Sequence, residues 1–247
     1  MIFSSALQQS RAEAICTYNI SSTKLKVNSC PQVKVRFSGI QNNMKKTIKS
    51  KTNDLPNEFV DKDRNIMNEY YELLDSDLSE PRLLKSMLQF IRKDPDFLDP
   101  YIVSADIFLR SNKIKLGFNL IEEAYNRALN LIVDENGKWP KRMEWGFIEN
   151  RHIMRAIERY AYIVWEENNS ELALEIYRKL LRVNINDNQG TRYAILALRM
   201  KLGPDWDLKF VIKKGQMAGL TEAGKIDDWF NENSKKFPEE FNFLILN

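Results

Sequence analysis

The sequence predicts an all-α chain of stacked antiparallel helical hairpins, preceded by a basic N-terminal arm read as disordered or as a short β-hairpin. Three observations carry this reading. From Asn57 onward, apolar residues recur at the spacing of a helix face. The intervals between those runs are mostly two to five residues long, which brings consecutive helices together as antiparallel pairs. Nine glycines and eight prolines in 247 residues are few for the many turns of an all-β chain, and 43% hydrophobic residues are too many for general disorder.

Charge divides the chain. Residues 1–53 hold nine basic side chains (Arg11, Lys24, Lys26, Lys34, Arg36, Lys45, Lys46, Lys49 and Lys51) against the single acid Glu13, a net +8, whereas residues 54–247 are net −5. This separates a basic arm, 1–53, from a mildly acidic helical domain, 54–247. Such an arm suits nucleic acid, anionic lipid or the acidic domain behind it. Within it, residues 24–37, KLKVNSCPQVKVRF, alternate polar and apolar about a turn, as a hairpin does. Met44 opens a stretch, MKKTIKSKTN, suited to start a cytosolic protein, in which case residues 1–43 are an extension.

Cys16 and Cys30 both fall in the arm, where one disulfide would not brace the helices and two thiols cannot complete a zinc site. A reducing, cytoplasmic location is expected. No apolar run reaches the roughly 18 residues of a membrane-spanning helix, and MIFSSALQQSRAEAI lacks the layout of a secretory signal. The arm is Ser-rich and acid-poor, as transit peptides are.

The helices are expected in order. The first lies in EFVDKDRNIMNEYYELLD, with Phe59, Ile66, Tyr70, Leu73 and Leu74 on one face. Ser79-Glu80-Pro81 signals the start of the second, which ends near Asp94-Pro95. Helices at about 98–110 and 114–132 flank a Ser111-Asn112 turn. After a loop containing Asn136-Gly137 and Trp139-Pro140, two more at about 149–167 and 171–183 flank Asn168-Asn169-Ser170. Three others are expected at about 188–202, 205–216 and 221–233, with a Gly203-Pro204 break between the first two.

A catalytic reading finds little to build on. His152 is the one histidine, which excludes HExxH and paired-histidine zinc sites, and no phosphate loop, dinucleotide fingerprint or nucleophile elbow occurs. His152 is expected to be an ordinary, partly exposed residue. Asp61-Lys62-Asp63 and Asp75-Ser76-Asp77 lack the ligand count and glycine turn of a calcium loop and are read as surface charge. The expectation is therefore a non-enzyme without metal or cofactor.

Helical hairpins that cannot bury both faces alone usually stack as repeats. Residues 154–187, MRAIERYAYIVWEENNSELALEIYRKLLRVNIND, resemble one tetratricopeptide repeat (TPR). Ala161 stands at the small-residue position of the first helix, and Ala173, Tyr177 and Leu180 stand at packing positions of the second. Ile185 departs from the proline usual in that family. Residues 98–131 match less closely, with Pro95 ahead of them, Ala105 at the small position, Ile121 and Ala124 in the second helix, and Gly117 in place of alanine. The junction LLRVNINDNQGTRY and the segment ENRHIMRA are similar to those of a TPR group with an LNPNDNQG-type junction. The resemblance covers roughly residues 95–220. Some of that group carry a cysteine-rich zinc motif, which this sequence does not supply. In the junction, Asn186 or Asp187 is expected to cap the next helix, and Gly190 to let two helices approach closely.

The resemblance implies a TPR-like α-solenoid whose concave groove is lined by Arg155, Glu158, Tyr162, Trp165 and Glu166 from one unit. The next unit adds Gln189, Arg192, Leu196, Arg199 and Met200, and the earlier one Asp99, Ile102, Asp106, Leu109 and Arg110. Arg155, Glu158, Tyr162, Trp165, Gln189, Arg192 and Arg199 are the candidate partner contacts, arginine and large aromatics being enriched where partners bind. Trp165 packing against a neighbouring hairpin is the alternative. Ile102 and Asp106 occupy positions where chaperone-binding TPRs carry the clamp for a terminal carboxylate, so a chaperone tail is not the expected ligand. The expected function is a non-catalytic protein-interaction adaptor or scaffold. The alternatives are a nucleic-acid-associated protein using the basic arm and a secreted bacterial effector. The tail FPEEFNFLILN fits a terminal recognition signal or a segment docked on the last hairpin, and capping of the stack is expected.

Overall fold

A computed structural model describes residues 58–215 and 217–245. The expected hairpin at 24–37, both cysteines, Met44 and the boundary at residue 53 lie outside them. Among the described residues the regular structure is helical, with one isolated antiparallel bridge between Val211 and Thr221.

Helices α1 (Ile66–Leu74) and α2 (Glu80–Lys93) form the first pair. Ser79 starts α2 from an extended backbone, Pro81 occupies its first turn, and Arg92 and Lys93 face the negative end of its dipole. Helices α3 (Asp99–Arg110) and α4 (Ile114–Ile132) form the second pair, and α5 (Ile148–Glu166) and α6 (Ser170–Val183) the third. Helix α7 (Thr191–Arg199) leads into a 3₁₀ turn at Trp206–Phe210, then α8 (Ala223–Asn233), a 3₁₀ turn at Ser234–Lys236 and α9 (Pro238–Ile245).

Three helices end alike. Asn112, Asn168 and Lys201 follow α3, α5 and α7 with φ of 60°, 64° and 57°. Behind them the Lys113, Asn169 and Leu202 N–H groups donate to the carbonyls of Phe108, Val164 and Ala197 at 2.8, 2.8 and 2.9 Å. This is the Schellman closure, which satisfies orphan carbonyls and turns the chain sharply back. Ala105 and Ala161 stand at the same place before the first two closures and are both fully buried. Ile121 and Tyr177, like Ala124 and Leu180, are buried at equivalent points of the following helices.

Each helix from α2 to α7 packs on the next, and α3 also packs directly on α5 across the turn of α4. The main core runs continuously from Leu98 through Met154, Ile157, Tyr177 and Leu196 to Phe241; a smaller one joins Met67, Tyr70, Met87, Phe90 and Phe97. Gly117 is where α4 meets α3: a Cβ there would lie 2.6 Å from Leu109 Cγ and 3.1 Å from the Ala105 carbonyl oxygen.

Three expectations are corrected. Residues 58–65 are not the start of the first helix. Their backbone is used elsewhere: the Phe59 N–H donates to the Arg142 carbonyl at 2.7 Å and the Asp61 N–H to Asn150 Oδ1 at 3.0 Å. The helix expected at 205–216 is only the 3₁₀ turn followed by a looped excursion, in which the Ile212 N–H bonds the Leu220 carbonyl and the Gly219 N–H bonds the Ile212 carbonyl, both at 2.8 Å. The β-branched pair Val211-Ile212 and Gly215 at φ +93° suit this loop better than a helix.

The third correction concerns the junction. Helix α7 begins at Thr191 rather than near Asn188, and Gly190 precedes it at φ +77°. Glycine is used there for its left-handed backbone; the nearest side chain is Tyr193 of its own turn, not a facing helix. Asp187 supplies the expected cap, accepting the Thr191 N–H at 2.7 Å and the Arg192 N–H at 3.1 Å.

The C-terminal segment folds back as α9. Glu240 accepts from Arg178 Nε of α6 at 2.9 Å, Glu239 accepts from Arg199 of α7 at 2.6 Å, and Phe241 packs edge-on against Phe230 of α8. The tail thus docks as a helix on α6, α7 and α8.

Candidate functional site

The direct packing of α3 on α5 places acids opposite arginines. Asp99 and Asp106 stand two turns apart on α3, while Arg155 and Arg159 stand one turn apart on α5. Arg155 donates Nε to Asp99 Oδ1 at 2.8 Å, pairs with its second oxygen through Nη2, and donates from the same nitrogen to the Tyr71 hydroxyl at 3.1 Å. Its guanidinium also lies 5.6 Å from the Trp145 ring centroid. Burial opposes its charge, but Asp99 outweighs burial and raises the pKa above the ordinary arginine value. Arg159 Nη2 meets Asp106 Oδ1 at 2.6 Å, and its guanidinium lies 5.5 Å from the Tyr162 ring centroid.

The next rung joins α5 to the junction before α7, where Gln189 Nε2 donates to Glu158 Oε2 at 2.6 Å. Tyr162 is half-buried, and burial followed by the Glu166 charge raises its hydroxyl pKa. Arg192 reaches Asp187 Oδ2 at 3.2 Å and Asp227 Oδ1 at 3.3 Å, and also bonds the Tyr193 hydroxyl. Arg199 is held by Glu239 and stacks over Phe237 at 5.1 Å.

The sequence-predicted contacts therefore divide. Arg155, Glu158 and Tyr162 lie partly exposed on α5, and Gln189 lies partly exposed at the junction before α7. Arg192 and Arg199 engage the C-terminal segment. Trp165 is 3% exposed and belongs to the main core, so its alternative reading, packing between hairpins, is the one observed. Leu196 is also in the core. Arg159 was not among the expected contacts, although its one-turn spacing from Arg155 placed it near the same face.

His152 differs most from expectation. It is fully buried, its Nδ1 accepts the Leu98 N–H at 3.2 Å, and Nε2 lies 3.0 Å from Asp61 Oδ2. These contacts define a neutral imidazole with its proton on Nε2. Asp61 also accepts from Arg64 Nε at 2.7 Å, and Arg64 reaches Asp94 at 2.7 and 2.8 Å. Asp61 is thus part of a half-buried ionic latch rather than free surface charge. With both imidazole nitrogens engaged and the ring enclosed against Phe97, this Asp–His pair ties the 58–65 segment to the start of α3.

Among the described residues no group of three or more His, Cys, Asp or Glu side chains is arranged to hold a metal ion, and no helix is long and apolar enough to cross a membrane. Comparison with protein-family models, curated proteins and solved structures finds no match.

Proposed function

We propose that the chain is a non-catalytic adaptor: a TPR-like stack in which α3, α5 and the start of α7 line a concave face that holds a segment of a partner protein. The observation that carries this is the direct α3–α5 packing, which sets partly exposed Arg155 and Arg159 against Asp99 and Asp106, with partly exposed Glu158 and Tyr162 beside them on α5. The recurring Schellman closures and the buried Ala105 and Ala161 support a repeating hairpin design. Arginine beside tyrosine suits a segment with a carboxylate and an aromatic or apolar side chain, because both residues bury area while keeping directional polar contacts.

The test places a photocrosslinking amino acid at position 162 of the full chain in its native cell extract. Arg159→Glu, made together with Asp106→Arg to retain the charge pair, serves as comparison. A defined partner segment crosslinked by the first protein and lost from the second supports the reading. Crosslinking unaffected by the swap, or none, rejects it. Both proteins keep residues 1–53, so capture through the basic arm is common to them.

A further inference from the structure

Past α7 the chain makes an excursion with an unusual surface. From Leu208 to Thr221 it contains Lys209, Lys213 and Lys214 and no Asp or Glu. Every described residue from Lys213 to Leu220 is exposed, including Met217 at 59% and Leu220 at 36%, and Leu208 at its base is 51% exposed. A Cβ added at Gly215 or Gly219 would meet nothing within 4 Å, so both glycines border open space. The Val211–Thr221 bridge and the Glu222 N–H bond to the Phe210 carbonyl at 2.9 Å hold its two limbs together. Beneath it Trp206 and Trp229 stack with centroids 5.0 Å apart, and Lys209 Nζ lies 4.9 Å from the Trp229 ring and 4.8 Å from that of Phe210.

We propose that this loop is a contact site for an anionic lipid bilayer surface. A tip that exposes apolar and basic side chains together can enter a soft interface. Met217, Leu220 and Leu208 would move into the boundary between headgroups and acyl chains, while Lys209, Lys213 and Lys214 remain among the anionic headgroups. The tryptophan pair at the base supplies amphipathic rings of the kind that favour this depth. The nearby acids Asp205, Asp207, Glu222, Asp227 and Asp228 lie in the flanking sequence rather than at the tip, and Glu222 is paired with Lys225 at 2.8 Å. This site is separate from the α3–α5 face and does not rest on the adaptor reading.

The experiment is co-sedimentation of the full chain with vesicles of phosphatidylcholine, with or without phosphatidylserine. Met217→Ser/Leu220→Ser and Lys213→Glu/Lys214→Glu are run beside it. All substitutions are at exposed positions, and circular dichroism checks that the three proteins fold alike. The expected result is binding only to the anionic vesicles, weakened about tenfold by either pair of substitutions. The basic arm is present throughout, so the differences report the loop. Absence of wild-type binding overturns the proposal, as does equal binding by all three proteins. Weakening by the glutamates alone would show contact by charge without insertion, as with a nucleic acid, and would equally overturn it.

Discussion

The His152 ring closes a bridge between two parts of the chain 91 residues apart: Nε2 donates to Asp61 Oδ2 at 3.0 Å while Nδ1 takes the buried Leu98 N–H. A protonated Nδ1 would set N–H against N–H at that second contact. Burial pushes the Asp61 carboxyl upward, but the hydrogen bonds from His152 and Arg64 outweigh it and the net shift is downward. Asp61 therefore contributes stability above the ordinary carboxylate range and loses it as pH falls through its lowered folded value. His152→Ala removes the Leu98 acceptor and one partner of Asp61, and is expected to cost about 2–4 kcal/mol in denaturant unfolding. Hydrogen exchange at the Leu98 amide distinguishes this from general loosening. Faster exchange there, with α6 and α7 unchanged, is the expected local signature; uniform protection loss would contradict it.

Asp187 has the opposite pH dependence. Burial raises its carboxyl to about 6, although Arg192 and the two capping N–H groups work against the rise. The folded chain keeps this proton across roughly pH 4–6 while the unfolded chain has released it. The native state thus binds more protons in that window and loses stability as pH rises through it. Relative to Asp187→Asn, the wild type is expected to lose on the order of 2–3 kcal/mol between pH 4 and 7. Urea titrations at four or five pH values check this, and parallel curves for the two proteins would refute the assignment.

At Gly117 an alanine would be the wrong residue. Its Cβ would sit against Leu109 and the α3 backbone, so α3 and α4 would have to separate. Gly117→Ala is expected to destabilise by about 1–3 kcal/mol despite its better helix propensity. Leu109→Ala in the same chain should recover part of that loss, because Leu109 supplies the closest contact. A stabilising single substitution would show that the seam has slack.

Much of the helical order was legible because local chemistry marked it. Ser79-Glu80-Pro81 starts α2, and the Asn112 and Asn168 turns join the two helices of pairs whose apolar periodicity is clear. The segment at 58–65 misled because Phe59 and Ile66 fit a helical pattern while Arg142 and Asn150, far along the chain, claim its backbone donors. Segment 205–216 misled because Trp206, Phe210 and Val211 mimic a face, whereas Trp206 and Phe210 serve an aromatic cluster with Trp229 and Val211 bridges to Thr221. The candidate face was half legible. Repeat position singled out Arg155 and Tyr162, but nothing local separates Trp165 in the core from Tyr162 beside it on the same helix. Nor does RHIMRA reveal that its histidine is enclosed, since Asp61 is remote.

The Arg155–Asp99 rung is where stability and the proposed partner face meet. Asp99 is buried and Arg155 only partly so, which leaves the acid with more to lose when the pair is broken. Arg155→Ala is expected to cost about 1–3 kcal/mol, discounted from a fully buried pair because solvent reaches the guanidinium. Asp99→Asn should cost less, since the amide keeps one acceptor and the arginine keeps Tyr71 and Trp145. The double variant should be less destabilised than the sum of the two by at least about 0.5 kcal/mol in a double-mutant cycle. Additive losses would mean that the two residues act separately. The same four proteins, assayed for crosslinking through position 162, test whether this rung also organises the face. If it does, capture falls with Arg155→Ala more steeply than folded fraction does. If capture merely follows folded fraction, Arg155 belongs to the scaffold alone and the contact surface narrows to Arg159 and Tyr162.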